Sequence, residues 1–215
     1  MRIASGGMSW IFTSFAIAFL FLGVSFFVTG FLMSSALVLS VVFFLLSCLL
    51  IVFFRDPERT IGPGIIAVAD GKIREIRTMQ DAEVGNCIRI STFLNIHNVH
   101  VNRMPFDGTI QALIHHDGGH VPAFEKESDS NEQVVLLLKT DLGMMKVVQI
   151  AGAIARRIVP YVSEGEYVKK GQRIGLIRLG SRVDLYLPAD TITAVSIRTN
   201  EKVKAGEDSL AEVHG

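Results

Sequence analysis

The stretch GPGIIAVADGKIREIR, residues 62–77, shows the pattern that repeats through most of this chain. Short runs rich in isoleucine and valine are broken by glycine, proline and aspartate, which is typical of strands separated by turns. The Asp70-Gly71 pair predicts a tight hairpin between a strand at 65–69 and a strand at 72–77. Taken by itself, this pair is an ordinary turn signal without any chemical role.

Runs of the same kind continue toward the C-terminus and predict a mainly β fold, a compact sandwich or barrel. Little of this part of the chain has helical periodicity. The polar segment 125–133 predicts an exposed loop. The predicted strands are 65–69, 72–77, 87–92, 108–115, 134–140, 146–151, 157–160, 173–178, 184–188, 192–197 and 209–213.

The N-terminal part is different, because residues 10–54 contain no charged side chain. A membrane-spanning helix needs about 20 apolar residues, so this run is long enough for two. We expect a transmembrane helical hairpin with spans at 10–28 and 31–54 and a break near Thr29-Gly30. One long tilted span with a re-entrant or interfacial piece is the alternative.

The flanking charges predict the orientation of this hairpin. Arg2 precedes the first span, and Arg55 and Arg59 follow the second. The positive-inside rule therefore puts both ends in the cytoplasm. We expect a membrane-anchoring helical hairpin at 1–54 and a catalytic β domain at 55–215, which lies on the cytoplasmic side of the cell membrane.

Composition excludes several other classes of function. The 21 basic and 21 acidic residues give a net charge of zero, so nothing argues for a nucleic-acid partner. The two cysteines, Cys48 and Cys87, lie in different environments, which argues against a disulfide. No metal-ligand spacing is present, so we expect no metal site.

The Gly180-Ser181 bond is the main candidate for chemistry. Glycine tolerates distorted dihedral angles, so this bond can be held under strain. The serine hydroxyl can then attack the preceding carbonyl to give an ester, helped by a base and by a donor to the oxyanion. Elimination and loss of ammonia leave a pyruvoyl group, a ketone that can form a Schiff base with a substrate amine and act as an electron sink.

The segment EGEYVKKGQRIG, residues 164–175, resembles a motif of biotinyl and lipoyl carrier domains. There it marks a hairpin in which the position of Gly171 makes a tight turn and those of Val168 and Ile174 fill the core. The lysine-containing attachment turn of these carriers is absent, so a carrier function is not supported. A non-enzymatic, membrane-tethered adaptor module is the alternative function, and it would leave Gly180-Ser181 uncleaved.

The chain as a whole resembles the phosphatidylserine decarboxylase proenzymes, in particular their short membrane-anchored branch. The related archaetidylserine decarboxylases share this outline. Besides the apolar hairpin, the motifs that carry the resemblance are FRDPERT (54–60), VADGKI (68–73), FLNIHNVHVNRMPFDGTI (93–110) and RLGSRVDLYLP (178–188).

This resemblance implies cleavage between Gly180 and Ser181 into a β chain, 1–180, and an α chain, 181–215. The two fragments would stay together as a heterodimer. Whether such heterodimers assemble into larger oligomers is not determined by the sequence. The implied cofactor is a covalent pyruvoyl group made from Ser181. The implied reaction at the membrane converts phosphatidylserine to phosphatidylethanolamine, and the sequence does not distinguish a diacyl lipid from an archaeal ether lipid.

The resemblance also implies roles for three further residues. Asp70 matches an aspartate that longer members use in self-cleavage, and His100 matches a histidine linked to decarboxylation. The second histidine of that motif is Arg103 here, and the aspartate two residues before the first histidine is Asn98. Either His100 is the base for self-cleavage with Asp70 orienting it, or strain dominates. Arg103 either binds the substrate phosphate or carboxylate, or helps to maintain the site.

Overall fold

The computed structural model describes residues 2–119, 130–152, 158–177 and 181–213. The chain divides into two compact units, Met1–Glu58 and Arg59–Gly215. The predicted mainly β fold with two N-terminal apolar helices is confirmed, with 44% of residues in strands and 24% in helices.

The first unit contains both helices, α1 (Met8–Ser25) and α2 (Gly30–Phe53). Each is long and apolar enough to cross a membrane, with mean hydropathy values of 1.8 and 3.1. Serine hydroxyls bridge the two helices: Ser14 Oγ donates to Phe43 O at 3.0 Å, and Ser40 Oγ donates to Ala18 O at 2.9 Å. Small hydroxyl residues of this kind allow apolar helices to approach closely.

Two short strands of the first unit, β1 (Arg2–Ile3) and β2 (Arg55–Asp56), pair antiparallel with each other. The strands of the second unit are β3 (Ile65–Ile66), β4 (Gly71–Asp81), β5 (Gly85–Leu94), β6 (Val101–Arg103), β7 (Gly108–His116), β8 (Gln133–Thr140), β9 (Gly143–Ile150), β10 (Ile158–Pro160), β11 (Tyr167–Val168), β12 (Arg173–Ile177), β13 (Ser181–Pro188), β14 (Ile192–Val195), β15 (Lys202–Val203) and β16 (Ser209–Val213). A 3₁₀ turn, Ala189–Thr191, follows β13.

One eight-stranded antiparallel sheet, in the order β11-β7-β8-β9-β13-β5-β4-β15, curls into a half-barrel. Two three-stranded sheets, β10-β12-β6 and β14-β16-β3, complete the unit. The core contains alternating residues of the large sheet, such as Ile90, Val147 and Leu185, together with Ile65 and Ile174 of the small sheets. Strand β13 therefore lies near the centre of the large sheet, paired with β9 on one side and with β5 on the other.

The predicted hairpin at Asp70-Gly71 is wrong. Strand β3 ends at Ile66 and pairs with β16, whereas β4 begins at Gly71 and pairs with β5 and β15. The intervening residues form a bend that long-range hydrogen bonds hold in place. Arg103 N donates to Val68 O at 2.8 Å, and Gly206 N donates to Ala67 O at 2.9 Å. These contacts override the local preference of an Asp-Gly pair for a turn.

The segment 164–175 has the predicted turn and the predicted core residues. Gly171 adopts a φ of 80°, which favours glycine, and both Val168 and Ile174 are fully buried. The strands on either side lie in different sheets, because β11 pairs with β7 and β12 pairs with β6 and β10. This segment therefore takes the chain from one sheet to another, and the predicted hairpin does not form.

Candidate active site

Ser181 is the first residue of the central strand β13. It pairs with Leu94, the last residue of β5, and its side chain is fully buried. Among the residues that the structure describes, none is a hydrogen-bond partner of Ser181 Oγ. Gly180, the other half of the predicted cleavage site, lies in 178–180, outside the described residues.

Successive side chains of a strand point to opposite faces of its sheet. Val183 and Leu185 belong to the core, so Ser181 faces the core too. Arg182 and Asp184 lie on the opposite face, where they line a groove. The hydroxyl of Ser181 therefore lies on the interior side of the sheet.

His100 lies immediately before β6 and is fully buried. Its Nδ1 atom is 2.9 Å from the carbonyl oxygen of Asn98. Because a carbonyl oxygen can only accept, Nδ1 carries a hydrogen. In the neutral ring, Nε2 is then the atom that can take up a proton.

Asp70 is buried, and both of its carboxylate oxygens accept hydrogen bonds. Arg59 Nη2 donates to Oδ1 at 3.1 Å and to Oδ2 at 2.9 Å, and the backbone N–H of Ala205 donates to Oδ1 at 2.8 Å. Arg59 also contacts Glu207, at 3.1 Å. The sequence analysis used Arg59 only as a positive charge that flanks the second span and gave it no part in the site, although it lies in the FRDPERT motif.

Arg103 is buried as well, and its guanidinium contacts the backbone of a turn. Nη1 donates to the carbonyl oxygen of Gly171 at 2.9 Å. The aliphatic part of the side chain packs against Gly206, where an added Cβ would come within 2.8 Å of Arg103 Cδ. These contacts stabilise the two glycine turns next to the Asp70 segment.

Backbone hydrogen bonds bring the Asp70 and His100 segments together. Arg103 N donates to Val68 O. Val68 is two residues before Asp70, and Arg103 is three residues after His100. Ile177 N donates to His100 O at 3.2 Å, which connects His100 to the end of β12, four residues before Ser181. Loops that are distant in sequence therefore meet at one end of the large sheet.

Strand register shows how far apart the strands that begin next to Asp70 and at Ser181 lie. Phe93 pairs with Lys72 on β4 and with Arg182 on β13. Lys72 and Arg182 are therefore two strand spacings apart, on the order of 10 Å. No direct hydrogen bond joins Asp70 to Ser181 among the described residues, so an effect of Asp70 on Ser181 requires an intervening group.

A family model described as phosphatidylserine decarboxylase matches residues 46–211 of the chain. The chain belongs to this family. The family consists of carboxy-lyases, as the sequence predicted. The match includes Asp70, His100, Arg103 and Ser181.

Several relatives are similar over most of the chain. A phosphatidylserine decarboxylase proenzyme from Streptomyces griseus is 52% identical over 146 residues, which are 67% of this chain and 66%, just under two thirds, of that protein. Other relatives carry the name archaetidylserine decarboxylase proenzyme. The one from Halobacterium salinarum is 44% identical over 168 residues, 77% of this chain and 82% of that protein. The one from Methanosarcina mazei is 37% identical over 214 residues, 98% of this chain and 97% of that protein.

Asn98 shapes the loop that leads to His100. The side chain of Asn98 accepts a hydrogen bond from Asn95 N at 2.8 Å and so closes the loop before His100. The backbone oxygen of Asn98 then contacts the histidine ring. A carbonyl group thus orients His100, and sequence inspection missed it because a backbone atom leaves no residue signature.

The sequence analysis also missed a buried amide pair. Gln149 Nε2 donates to Asn102 Oδ1 at 2.6 Å, and both residues are fully buried. Gln149 lies on β9 opposite Val183, and Asn102 lies on β6 between His100 and Arg103. The pair therefore connects the large sheet with a small sheet close to the predicted site residues.

The groove on the other face of the large sheet is separate from Ser181 and has a volume of about 330 Å³. Its charges are mostly paired, for example Lys146 with Asp81 and Glu83. Burial raises the pKa of Asp184 there, although the neighbouring Arg182 partly opposes this. No cluster of three His, Cys, Asp or Glu side chains that could hold a metal occurs in the described part of the chain.

Proposed function

We propose that this chain cleaves itself between Gly180 and Ser181 and then decarboxylates phosphatidylserine to phosphatidylethanolamine. The observation that carries the proposal is the buried, core-facing hydroxyl of Ser181, which lacks a hydrogen-bond partner among the described residues. An unsatisfied buried hydroxyl costs about 1–3 kcal/mol, so it needs a reason. Attack of the Ser181 hydroxyl on the carbonyl group of Gly180 would be such a reason.

In the cleavage step, Ser181 Oγ bonds to the carbonyl carbon of Gly180 and gives up its proton. The C–N bond breaks, its nitrogen gains a proton, and an ester links the two residues. Elimination then removes the Cα proton of residue 181 and breaks the Cβ–Oγ bond, which leaves a carboxylate on Gly180 and dehydroalanine at residue 181. Water hydrolyses the imine tautomer of dehydroalanine, supplies the ketone oxygen and releases ammonia, so that a pyruvoyl group remains on residue 181. His100 is our candidate for the base, since its Nδ1 is bonded to Asn98 O and its Nε2 can accept. Asp70 assists cleavage indirectly.

The chain's own strands fit a covalent group at residue 181. Strand β13 lies between β5 and β9, while β15 and β16 pair with β4 and β3. A fragment 181–215 would therefore stay bound after cleavage, with its new N-terminus in the core next to Leu94. The pyruvoyl ketone would supply an electron sink for the amine of the substrate.

The surrounding residues would favour loss of carbon dioxide. Leu94, Ile177 and Val183 are buried in the core beside this end of β13. An apolar environment favours a step in which the carboxylate charge disperses. When the bond to the carboxylate carbon breaks, His100 is our candidate for the group that returns a proton to the substrate Cα.

The apolar helices suggest where the substrate is met. We propose that the segment 1–54 anchors the catalytic segment 55–215 to the membrane, with the latter on the cytoplasmic side. Helices α1 and α2 have the length and hydropathy that this requires. Arg2 and Arg55 supply positive charge at the proposed cytoplasmic ends, whereas the charge of Arg59 is paired with Asp70 and Glu207.

An ether-linked serine phospholipid is the second candidate substrate. The relative from Methanosarcina mazei, named for archaetidylserine, matches 98% of this chain. Because the chemistry occurs at the serine headgroup, the proposed site is compatible with either lipid backbone. Binding of the lipid chains would decide between the two lipids.

The test is an assay of the purified full-length chain in vesicles that contain either diacyl or ether-linked serine phospholipid. We expect release of carbon dioxide and formation of the ethanolamine lipid from at least one of them, with none from Ser181→Ala. The absence of turnover on both lipids by a cleaved protein would overturn the proposed activity. A single uncleaved band would instead support the adaptor alternative.

A further inference from the structure

Three polar atoms in the core lack hydrogen-bond partners among the described residues. They are Ser181 Oγ, Asn102 Nδ2 and Gln149 Oε1, and each belongs to a residue with no exposed surface. Buried polar atoms are almost always hydrogen-bonded, so such a group points to a ligand or a reaction. The proposed function accounts for Ser181 and leaves the two amides unexplained.

The two amides lie on the Ser181 side of the large sheet. Gln149 pairs with Val183, two residues from Ser181, and the neighbouring Val147 is in the core. Gln149 and Ser181 are thus diagonal neighbours on adjacent strands, with Cβ atoms roughly 7 Å apart. Long side chains can interact across this distance.

Asn102 reaches the same place from the small sheet. It pairs with Gly175 on β12, where an added Cβ would come within 2.9 Å of Gln149 Nε2. The absence of a side chain at Gly175 therefore makes room for the amide contact. Asn102 also lies two residues from His100.

The pair offers one hydrogen-bond donor and one acceptor. The bond between Gln149 Nε2 and Asn102 Oδ1 leaves the nitrogen of Asn102 and the oxygen of Gln149 available. Turning both amides over preserves that bond and still leaves one NH₂ group and one oxygen without a partner in the pair. The pair is uncharged in either arrangement.

We infer that Asn102 and Gln149 bind the amino-acid part of the lipid headgroup, an inference that rests on the proposed function. Asn102 Nδ2 donates to the substrate carboxylate, and Gln149 Oε1 accepts from the substrate amine. A neutral donor suits a carboxylate that must be lost. An arginine there would stabilise the charged ground state and raise the barrier to decarboxylation.

The experiment uses the full-length chain with two soluble amines, glycerophosphoserine and glycerophosphoethanolamine, which differ only by the carboxylate. Cyanoborohydride traps each amine on the fragment that begins at residue 181, and intact mass gives the yield. The main variant is Asn102→Leu/Gln149→Met, which removes both amides together and leaves neither one unpaired.

We expect the variant to cleave normally and to need about 10- to 100-fold more glycerophosphoserine for half-maximal trapping. Trapping of glycerophosphoethanolamine should change by less than about threefold, because one weaker contact to the amine is lost. Thr92→Val is the matched control, since Thr92 pairs with Val183 from the opposite side. It should alter neither value.

The inference would be overturned if the concentration for half-maximal trapping changed equally for both amines or did not change. It would also be overturned if the variant failed to cleave, which would assign the amide pair to maturation. If the double variant does not fold, Asn102→Ser is measured in the same way, and the same outcomes support or overturn the inference. The absence of trapping in the wild-type chain would instead contradict the proposed pyruvoyl chemistry.

Discussion

Arg59 binds Asp70 through both carboxylate oxygens, at 3.1 and 2.9 Å, with both side chains nearly buried. The backbone N–H of Ala205 donates a third hydrogen bond to this carboxylate. Such an arrangement fixes the carboxylate in one position. The aspartate that the family resemblance links to self-cleavage is therefore held by the first residue of the second compact unit.

We predict that Asp70→Asn slows self-cleavage at least tenfold. The amide removes the negative charge that Arg59 faces, and a charged hydrogen bond contributes about 1.5–3 kcal/mol. The measurement is the fraction of cleaved chain on a denaturing gel at successive times after synthesis.

Glu207→Gln is the control for this variant, because Glu207 also contacts Arg59 but is more exposed than Asp70. We expect it to mature at the wild-type rate. Normal maturation of Asp70→Asn, or equal delays in both variants, would show that Asp70 has no specific part in cleavage.

His100→Ala should abolish turnover, whether or not the chain still cleaves. The loss of the imidazole removes the group that we propose as the proton donor to the substrate Cα. The assay is turnover per cleaved chain, with the thermal midpoint measured beside it. Turnover near the wild-type value would remove His100 from the catalytic mechanism.

Arg103→Ala should destabilise the fold by about 2 kcal/mol, because Gly171 O loses a charged donor and the packing against Gly206 is lost. Arg103→Lys should restore part of this loss. Denaturant unfolding measures the effect. An unchanged unfolding midpoint together with a raised KM for the lipid would favour the alternative role, in which Arg103 binds the substrate.

Asp184 gives a prediction about pH. Its pKa is raised from 3.8, chiefly by burial. A carboxyl group with a raised folded pKa stabilises the fold when protonated, and this contribution is lost as pH rises through the folded pKa. Asp184→Asn lacks this titration. The free energy of unfolding of the variant minus that of the wild type should therefore increase as pH rises from about 4.

The measurement for Asp184 is denaturant unfolding of both proteins across that pH range. The subtraction cancels the titration of the other carboxyl groups that the two chains share. A difference that stays constant, or that decreases with rising pH, would contradict a raised pKa of Asp184, in which the effect of burial exceeds the opposing effect of Arg182.

The sequence was most informative where chemistry depends on residue type in a fixed local order. The Gly180-Ser181 bond and His100 could be recognised in this way. The contact of His100 with Asn98 O could not, because it depends on the conformation of a loop. The amide pair joins residues 47 positions apart and exists only because two sheets face each other.

Strand prediction shows the same limit. The strand predicted at 184–188 begins at Ser181, because Ser181 and Arg182 pair with Leu94 and Phe93. The Asp70-Gly71 pair predicted a hairpin, yet the residues before it bond to Arg103 and Gly206 instead of pairing with the strand that follows. Local turn preferences are weaker than several backbone hydrogen bonds to distant strands.

The central claim is that Ser181 becomes the N-terminal group of a small fragment. The most direct test is the intact mass of the purified wild-type chain under denaturing conditions, with Ser181→Ala as the control. We predict two species, residues 1–180 and a fragment of residues 181–215 whose mass matches a pyruvoyl group in place of Ser181. A single species of full mass with an unmodified Ser181, in active protein, would contradict the account.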